Sequence, residues 1–440
     1  MAYRRLVQHH QTHVWQFVCL LLSLYLLGVL YLNVSYLVHQ PQRAGGRRLS
    51  PADLVGFDYR LYSLFGEDFI LGRYRPRDCK PRKNFAFIKC MKCATETLGG
   101  VLRRYSYVHN LSVVLPVKDK IYLGWPFPMT PLDHRPSGRE YNALIEHAIY
   151  NGTFMRSFMA NGTAFLTILR EPGDHFVSTL NYFNVFEIAN VSVRHGMEAV
   201  HEYIRNIEKY ETIYKRPAAE KRYCIPDGFS VSKNLLSQCL GMPLGFPSGT
   251  PNITDNARAV RQYIKALDKE FLLVMLMEYF DESLVLLRRL MCWTIKDILF
   301  HVSNVGSYRS KAARRPQLSP DDRAAHKRWS SVDYALYSHF NKTFWNKVGL
   351  QGPDFHYEVA HFRQVQKAVT SFCLNIAKYA GSQIEFPESF WSPPFNVSSS
   401  DCQLMTAPLL PLLKKRHEEL EPQYANYPKV KVKRNYQPLC

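Results

Sequence analysis

Acidic residues are scarce where the chain begins: none occurs in the first 50 positions, which carry five Arg. Across all 440 residues, 37 Asp and Glu face 56 Lys and Arg, a formal net charge of +19. No Asp-x-Asp occurs anywhere, which disfavours the glycosyltransferases that hold a metal-bound nucleotide sugar through that pair. The pattern G-x-x-x-x-G-K-[ST] is also missing, which disfavours a nucleoside triphosphate as ligand. There is no collagen period and no repeat of solenoid length, and no recognisable nucleic-acid module. Disorder is excluded as well. With 46% hydrophobic and 13% aromatic residues, the chain can bury the core of one large domain or two ordinary ones.

The positive charge is unevenly spread. Residues 1–50 contribute +5 and residues 404–440 contribute +4, leaving +10 of the +19 for the 353 residues between them. That mild excess suits one anionic pocket better than a long nucleic-acid groove.

Val14 to Leu32 is a run without a single charge, and weakly polar residues continue to Val38. The run is long enough to cross a bilayer. The poor cleavage site that follows, Asn33-Val34-Ser35-Tyr36, favours an uncleaved anchor over a signal peptide. Arginines flank both sides of the span, so they do not set its orientation. The glycosylation sequons do. Asn-x-Ser/Thr occurs at Asn33, Asn110, Asn151, Asn161, Asn190, Asn252, Asn341 and Asn396, which favours a lumenal body. Nine cysteines lie beyond the span. In an oxidising lumen some of them pair, with a connectivity the sequence leaves open, and an odd number leaves one over. Cys90-Met91-Lys92-Cys93 is formally C-x-x-C, but it lacks both the context of a redox motif and the second pair of a zinc site.

Residues 39–83, rich in Arg, Pro and Gly, read as a stem. The body follows over 84–380, and 381–440 forms a C-terminal extension whose basic end after Asp401 reads as a solvated tail. Three short apolar runs have the form of buried strands: Asn84–Lys89, Ala164–Leu169 and Phe271–Met277. Each is followed by a segment of helical spacing. The last, after Asp281 and Glu282, carries Arg288 and Arg289 at its far end, which matches the helix dipole. Strands alternating with helices predict an α/β domain with a parallel sheet.

Two strand–turn–helix segments carry the chemistry. The first reads FIKCMKCATET over 87–97. Such a turn points backbone N–H groups at an anion, while Lys92 adds a point charge and Thr95 and Thr97 add hydroxyls. The second strand ends at Arg170, and Ser178 follows two helical turns on. An Arg fork and a hydroxyl so placed can converge on one phosphate.

Together the two segments resemble the 5′-phosphosulfate and 3′-phosphate loops of sulfotransferases that use 3′-phosphoadenosine 5′-phosphosulfate (PAPS). The chain is most similar to the galactose-3-O-sulfotransferase family. That family has a first loop like Phe-Leu-Lys-Thr-His-Lys-Thr-Ala-Ser-Ser-Thr and a second like Thr-Ile-Leu-Arg-Asp-Pro, here TILREP. Leu123-Gly124-Trp125-Pro126, the stretch from Met277 through Leu287 and the stretch Asp333–Trp345 also look like the family, so the resemblance spans about residues 84–350. It implies a P-loop-like sulfotransferase fold, with a central parallel sheet flanked by helices and a single N-terminal membrane helix preceding it. It implies sulfuryl transfer from PAPS to a sugar hydroxyl, the 3-OH of a galactose on a glycolipid or glycoprotein glycan. The protein would be a type II Golgi membrane protein, without metal or nucleic acid, and a homo-oligomer stays open. The resemblance gives Lys92 the developing charge on the phosphate, with Lys89 assisting. It gives Thr95 and Thr97 the 5′-phosphate, and Arg170 and Ser178 the 3′-phosphate. His147, in a stretch like the family's Asn-His-x-x-Phe/Tyr-Asn, is the expected base; His109 and His134 are weaker alternatives. The chain also departs from the family. Met91 stands for a His, Cys90 and Cys93 stand for Thr, and Glu96 stands for a Ser. A carboxylate at 96 repels a phosphosulfate unless it points away, and a Cys90–Cys93 disulfide would reshape the loop. Those departures admit a second reading, a relative that binds glycan or nucleotide without transfer.

Overall fold

The computed structural model describes residues 79–117, 121–193, 195–216, 225–301, 318–375 and 381–424. The expected membrane span 14–38 and most of the expected stem lie outside them. Among the described residues no helix is long and apolar enough to cross a membrane.

A four-stranded parallel sheet forms the centre: β1 (Phe85–Ile88), β2 (Ala143–Leu144), β3 (Ala164–Leu169) and β4 (Phe271–Leu276), in the order β2-β1-β3-β4. β1 and β3 pair from Phe85 opposite Ala164 to Ile88 opposite Thr167. Every residue of β1 and β3 is buried, which is why both read as unbroken apolar runs rather than alternating ones. The helices used below are α1 (Thr95–Val108), α2 (Pro172–Tyr182), α3 (Leu235–Cys239), α4 (Phe280–Met291), α5 (Ser331–Gly349), α6 (Asp354–Leu374) and α7 (Leu409–Leu420). α1, α2 and α4 directly follow β1, β3 and the turn after β4, so the α/β expectation holds. β2, only two residues long, leaves no periodic signal, and no strand was expected there.

Arg288 and Arg289 of α4 are buried against α6. Arg288 pairs with Glu358, while Arg289 reaches Glu358 at 2.6 Å and Asp354 at 2.6 Å. These two arginines do more than complement the helix dipole. They are buried cations whose desolvation is offset by two buried carboxylates.

The expectation of a solvated tail after Asp401 does not hold through Tyr424. Cys402 is bonded to Cys373. On α7, Arg416 stacks on the Tyr107 ring at 3.7 Å and Glu418 meets Arg135 at 2.5 Å. Its apolar residues Leu409 and Leu413 are buried. The basic composition hid an amphipathic helix that docks on α1.

Candidate active site

Ligands of open α/β sheets bind beyond the carboxyl ends of the strands, where the strand order reverses. In this sheet that place is between β1 and β3, and both candidate loops leave from there. Thr95, Thr97, Lys92, Arg170, Ser178 and His147 line one cavity of about 520 Å³, together with Met91, Glu96 and Tyr182. An adjoining cavity of about 470 Å³ shares Lys92, Arg170, Ser178 and Tyr182. Six of the seven residues named from the sequence therefore meet at one opening.

The first loop has an unusual backbone. Lys92 (φ 62°) and Ala94 (φ 56°) both adopt the left-handed conformation. For residues with a Cβ this costs on the order of 1–3 kcal/mol each, and such strain gathers at functional sites. Ala94 is the N-cap of α1 and supplies no side-chain cap, so the N–H groups of the first turn are left for a ligand or water.

Side chains fasten the carbonyls of this loop one by one. His147 Nδ1 meets the Lys89 carbonyl at 2.7 Å, His175 Nε2 meets that of Met91 at 2.9 Å, and Arg170 Nη1 donates to that of Lys92 at 3.3 Å. A carbonyl only accepts, so each imidazole carries its hydrogen on the nitrogen facing the loop. Burial, with Lys89 nearby, holds His147 neutral and pulls its pKa down to about 3. Burial does the same to His175, also to about 3. His147 thus keeps an unprotonated Nε2, which stands 4.0 Å from Glu96 Oε1. Its backbone is held by Ile121 and Leu123, and its ring lies near Tyr122 and Trp125. The Leu123–Pro126 stretch singled out in the sequence therefore belongs to the histidine's support.

Lys92 Nζ lies over the Tyr182 ring at 4.1 Å. Burial and the neighbouring Arg170 guanidinium lower its pKa from the ordinary lysine value. Both cations favour an anion between them.

Lys89 is placed differently from the other candidates. Its side chain is fully buried and stands outside the cavity lining, 2.6 Å from Glu96 Oε1 and 3.7 Å from Glu146. Arg103 forks onto Glu146 at 2.6 and 2.7 Å and reaches Glu96 at 3.4 Å. Burial on its own would raise the Glu96 pKa, but Lys89 and Arg103 hold it down to about 2. Glu96 is thus ionised, with its charge balanced from behind. It turns towards Lys89, Arg103 and His147, which answers the sequence-level objection to an acid in this loop. Glu96 and Arg103 sit seven apart on α1, a two-turn spacing that could have revealed the pair. Glu146 and His175 carried no such signal.

The cysteines correct the loop expectation. Cys90 is bonded to Cys239 at the end of α3, not to Cys93, which is free and buried. Burial pushes the Cys93 thiol far above the usual range, so it is unreactive. Cys79 pairs with Cys292. Among the described residues no cluster of His, Cys, Asp or Glu is placed to hold a metal. Asp333, from another stretch singled out in the sequence, caps the start of α3 through the N–H groups of Leu236 and Ser237. His109 and His134 lie outside both cavities, against Asp297 and Tyr141.

A family model described as galactose-3-O-sulfotransferase matches residues 5–388. The chain belongs to that family. Galactosylceramide sulfotransferase of Homo sapiens is 29% identical over 307 residues, 68% of this chain and 66% of that protein. Galactose-3-O-sulfotransferase 2 of Sus scrofa is 28% identical over 305 residues, 67% of this chain and 69% of it. Galactose-3-O-sulfotransferase 3 of Bos taurus is 30% identical over 292 residues, 63% of this chain and 61% of it. The chain spans about two thirds of the length of the curated relatives it matches.

Proposed function

We propose that the protein is a carbohydrate sulfotransferase that moves a sulfuryl group from PAPS to a hydroxyl of a galactose residue, the 3-OH, on a glycolipid or glycoprotein glycan. One observation carries the reading: the two strand–turn–helix segments and His147 converge on a single cavity at the switch point of the sheet.

The geometry supports the following roles. Arg170 and Ser178 take the 3′-phosphate, and Thr95, Thr97 and the uncapped N–H groups of α1 take the 5′-phosphate. As the acceptor oxygen bonds to sulfur, the sulfur–oxygen bond to the phosphate breaks. Lys92 neutralises the charge that gathers on the departing phosphate. The acceptor proton passes to His147 Nε2, whose tautomer the Lys89 carbonyl fixes. Lys89 acts from beneath, by holding Glu96. The body is proposed to be lumenal, anchored in the Golgi membrane by residues 14–38. Three disulfides among the described residues support an oxidising compartment. So does the exposure of Asn110, Asn151, Asn161, Asn190, Asn252 and Asn396. The reading of a binder without transfer drew on Glu96 and Met91, and the balanced charge on Glu96 removes half of its support.

The test is incubation of the full-length protein in detergent with PAPS and a panel of galactosides, lactosamines and galactosylceramide, with products identified by mass. A 3-sulfated galactose is expected. Binding of the nucleotide without any sulfated product would refute the proposal.

A further inference from the structure

Glu96 and His147 stand side by side at the cavity wall. The Glu96 carboxylate is ionised and can only accept. His147 Nε2, in the tautomer that the Lys89 carbonyl imposes, can also only accept. The two atoms stand 4.0 Å apart and both residues line the cavity. Glu96 Oε1 already accepts from Lys89 at 2.6 Å and Oε2 from Arg103 at 3.4 Å, so what this pair offers the cavity is the remaining lone pairs, which sugar hydroxyls can fill. The Glu96 side chain is 61% exposed, while Lys89 and Arg103 behind it are 0% and 10% exposed. Those buried cations fix the carboxylate in place and leave its outer edge to the cavity.

We propose that Glu96 and His147 grip two neighbouring hydroxyls of the acceptor sugar, with Glu96 orienting one while His147 receives the proton of the other. The inference rests on the transferase reading above and names the acceptor class: an uncharged sugar with adjacent hydroxyl groups. A span of 4.0 Å between the two acceptor atoms suits a vicinal diol. A sulfate or carboxylate on the neighbouring carbon would meet the Glu96 charge and be rejected. Lys89, Arg103, Glu96 and Glu146 together balance two cations with two anions, so Glu96 repels only an anion placed directly against its outer edge.

The experiment crosses protein variants with substrate variants. Full-length wild type, Glu96→Ser and Glu96→Gln are assayed in detergent with PAPS and three acceptors: a methyl β-galactoside and its 2-deoxy and 4-deoxy forms. In Glu96→Ser the acceptor kcat/KM should fall about tenfold to a hundredfold, the range for a hydrogen bond to a charged group, while the PAPS KM stays within about twofold. One deoxy sugar should lose a similar factor with wild type and nothing further with Glu96→Ser. Glu96→Gln, which keeps the shape and loses the charge, should fall between the two. Equal deoxy penalties in wild type and Glu96→Ser would overturn the proposal, as would a serine variant with unchanged acceptor kinetics or one changed only in PAPS KM. If wild type yields no product, the transferase reading fails separately. Glu96 is then read by ligand-observed NMR of the galactoside on protein saturated with 3′-phosphoadenosine 5′-phosphate. Loss of sugar binding in Glu96→Ser supports the grip, and unchanged binding overturns it.

Discussion

Replacing His147 by Gln should make the protein less sensitive to mild acid, even though it removes the proposed base. The folded state holds His147 neutral down to a pKa of about 3, against an ordinary 6.5. Between those values the unfolded chain binds a proton that the fold refuses, so stability falls as pH falls. Each pH unit in this window costs about 1.4 kcal/mol per histidine, so going from pH 7 to pH 5 costs about 2 kcal/mol for His147 alone. The glutamine of His147→Gln does not titrate, and its amide N–H can still donate to the Lys89 carbonyl. Urea midpoints followed by tryptophan fluorescence at pH 7, 6 and 5 measure the effect. With a slope near 3 kcal/mol per molar, the acid-induced drop should shrink by about 0.7 M in the variant. Because His175 and His326 are buried and lowered to about 3 in the same way, His175→Gln should do likewise. Identical pH dependence in wild type and both variants would refute the burial of neutral imidazoles beneath this loop.

Other changes separate chemistry from architecture. Lys92→Ala should lower kcat about a hundredfold or more by removing charge stabilisation at the departing phosphate, while circular dichroism stays unchanged. Turnover near wild type would remove Lys92 from the site. Arg170→Ala should raise the PAPS KM about tenfold or more, measured by initial rates at saturating acceptor. The double variant Cys90→Thr, Cys239→Ala opens a link across 149 residues, for which chain entropy gives about 4–5 kcal/mol. Its melting temperature should fall on the order of 10 °C, and reduction of the wild type, which also opens Cys79–Cys292 and Cys373–Cys402, should lower it at least as far. Glu358→Gln removes the buried carboxylate that both Arg288 and Arg289 meet and should destabilise by about 3–5 kcal/mol in urea.

Local sequence determined the parts of this protein that depend on neighbouring residues. Ala164–Leu169 is a strand because five apolar residues and Thr167, whose hydroxyl bonds the Ile88 carbonyl, can be buried on both faces of a parallel sheet. The loop FIKCMKCATET and the strand-ending Arg170 were legible as candidates because an anion site at a strand–helix junction needs its cation and hydroxyls at fixed short spacings. Tertiary structure decided what depends on distant partners. Cys90 chose Cys239 over Cys93, three residues away. Lys89 turned inward to Glu96 and Glu146 rather than towards the cavity. His175 and Glu146 entered the site through the fold, and the stretch Leu409–Leu420 of the basic tail became a docked helix. Sequence spacing gives reach along the chain. Which charge is buried, and against which counter-charge, is settled only when packing sets the desolvation that each pair must offset.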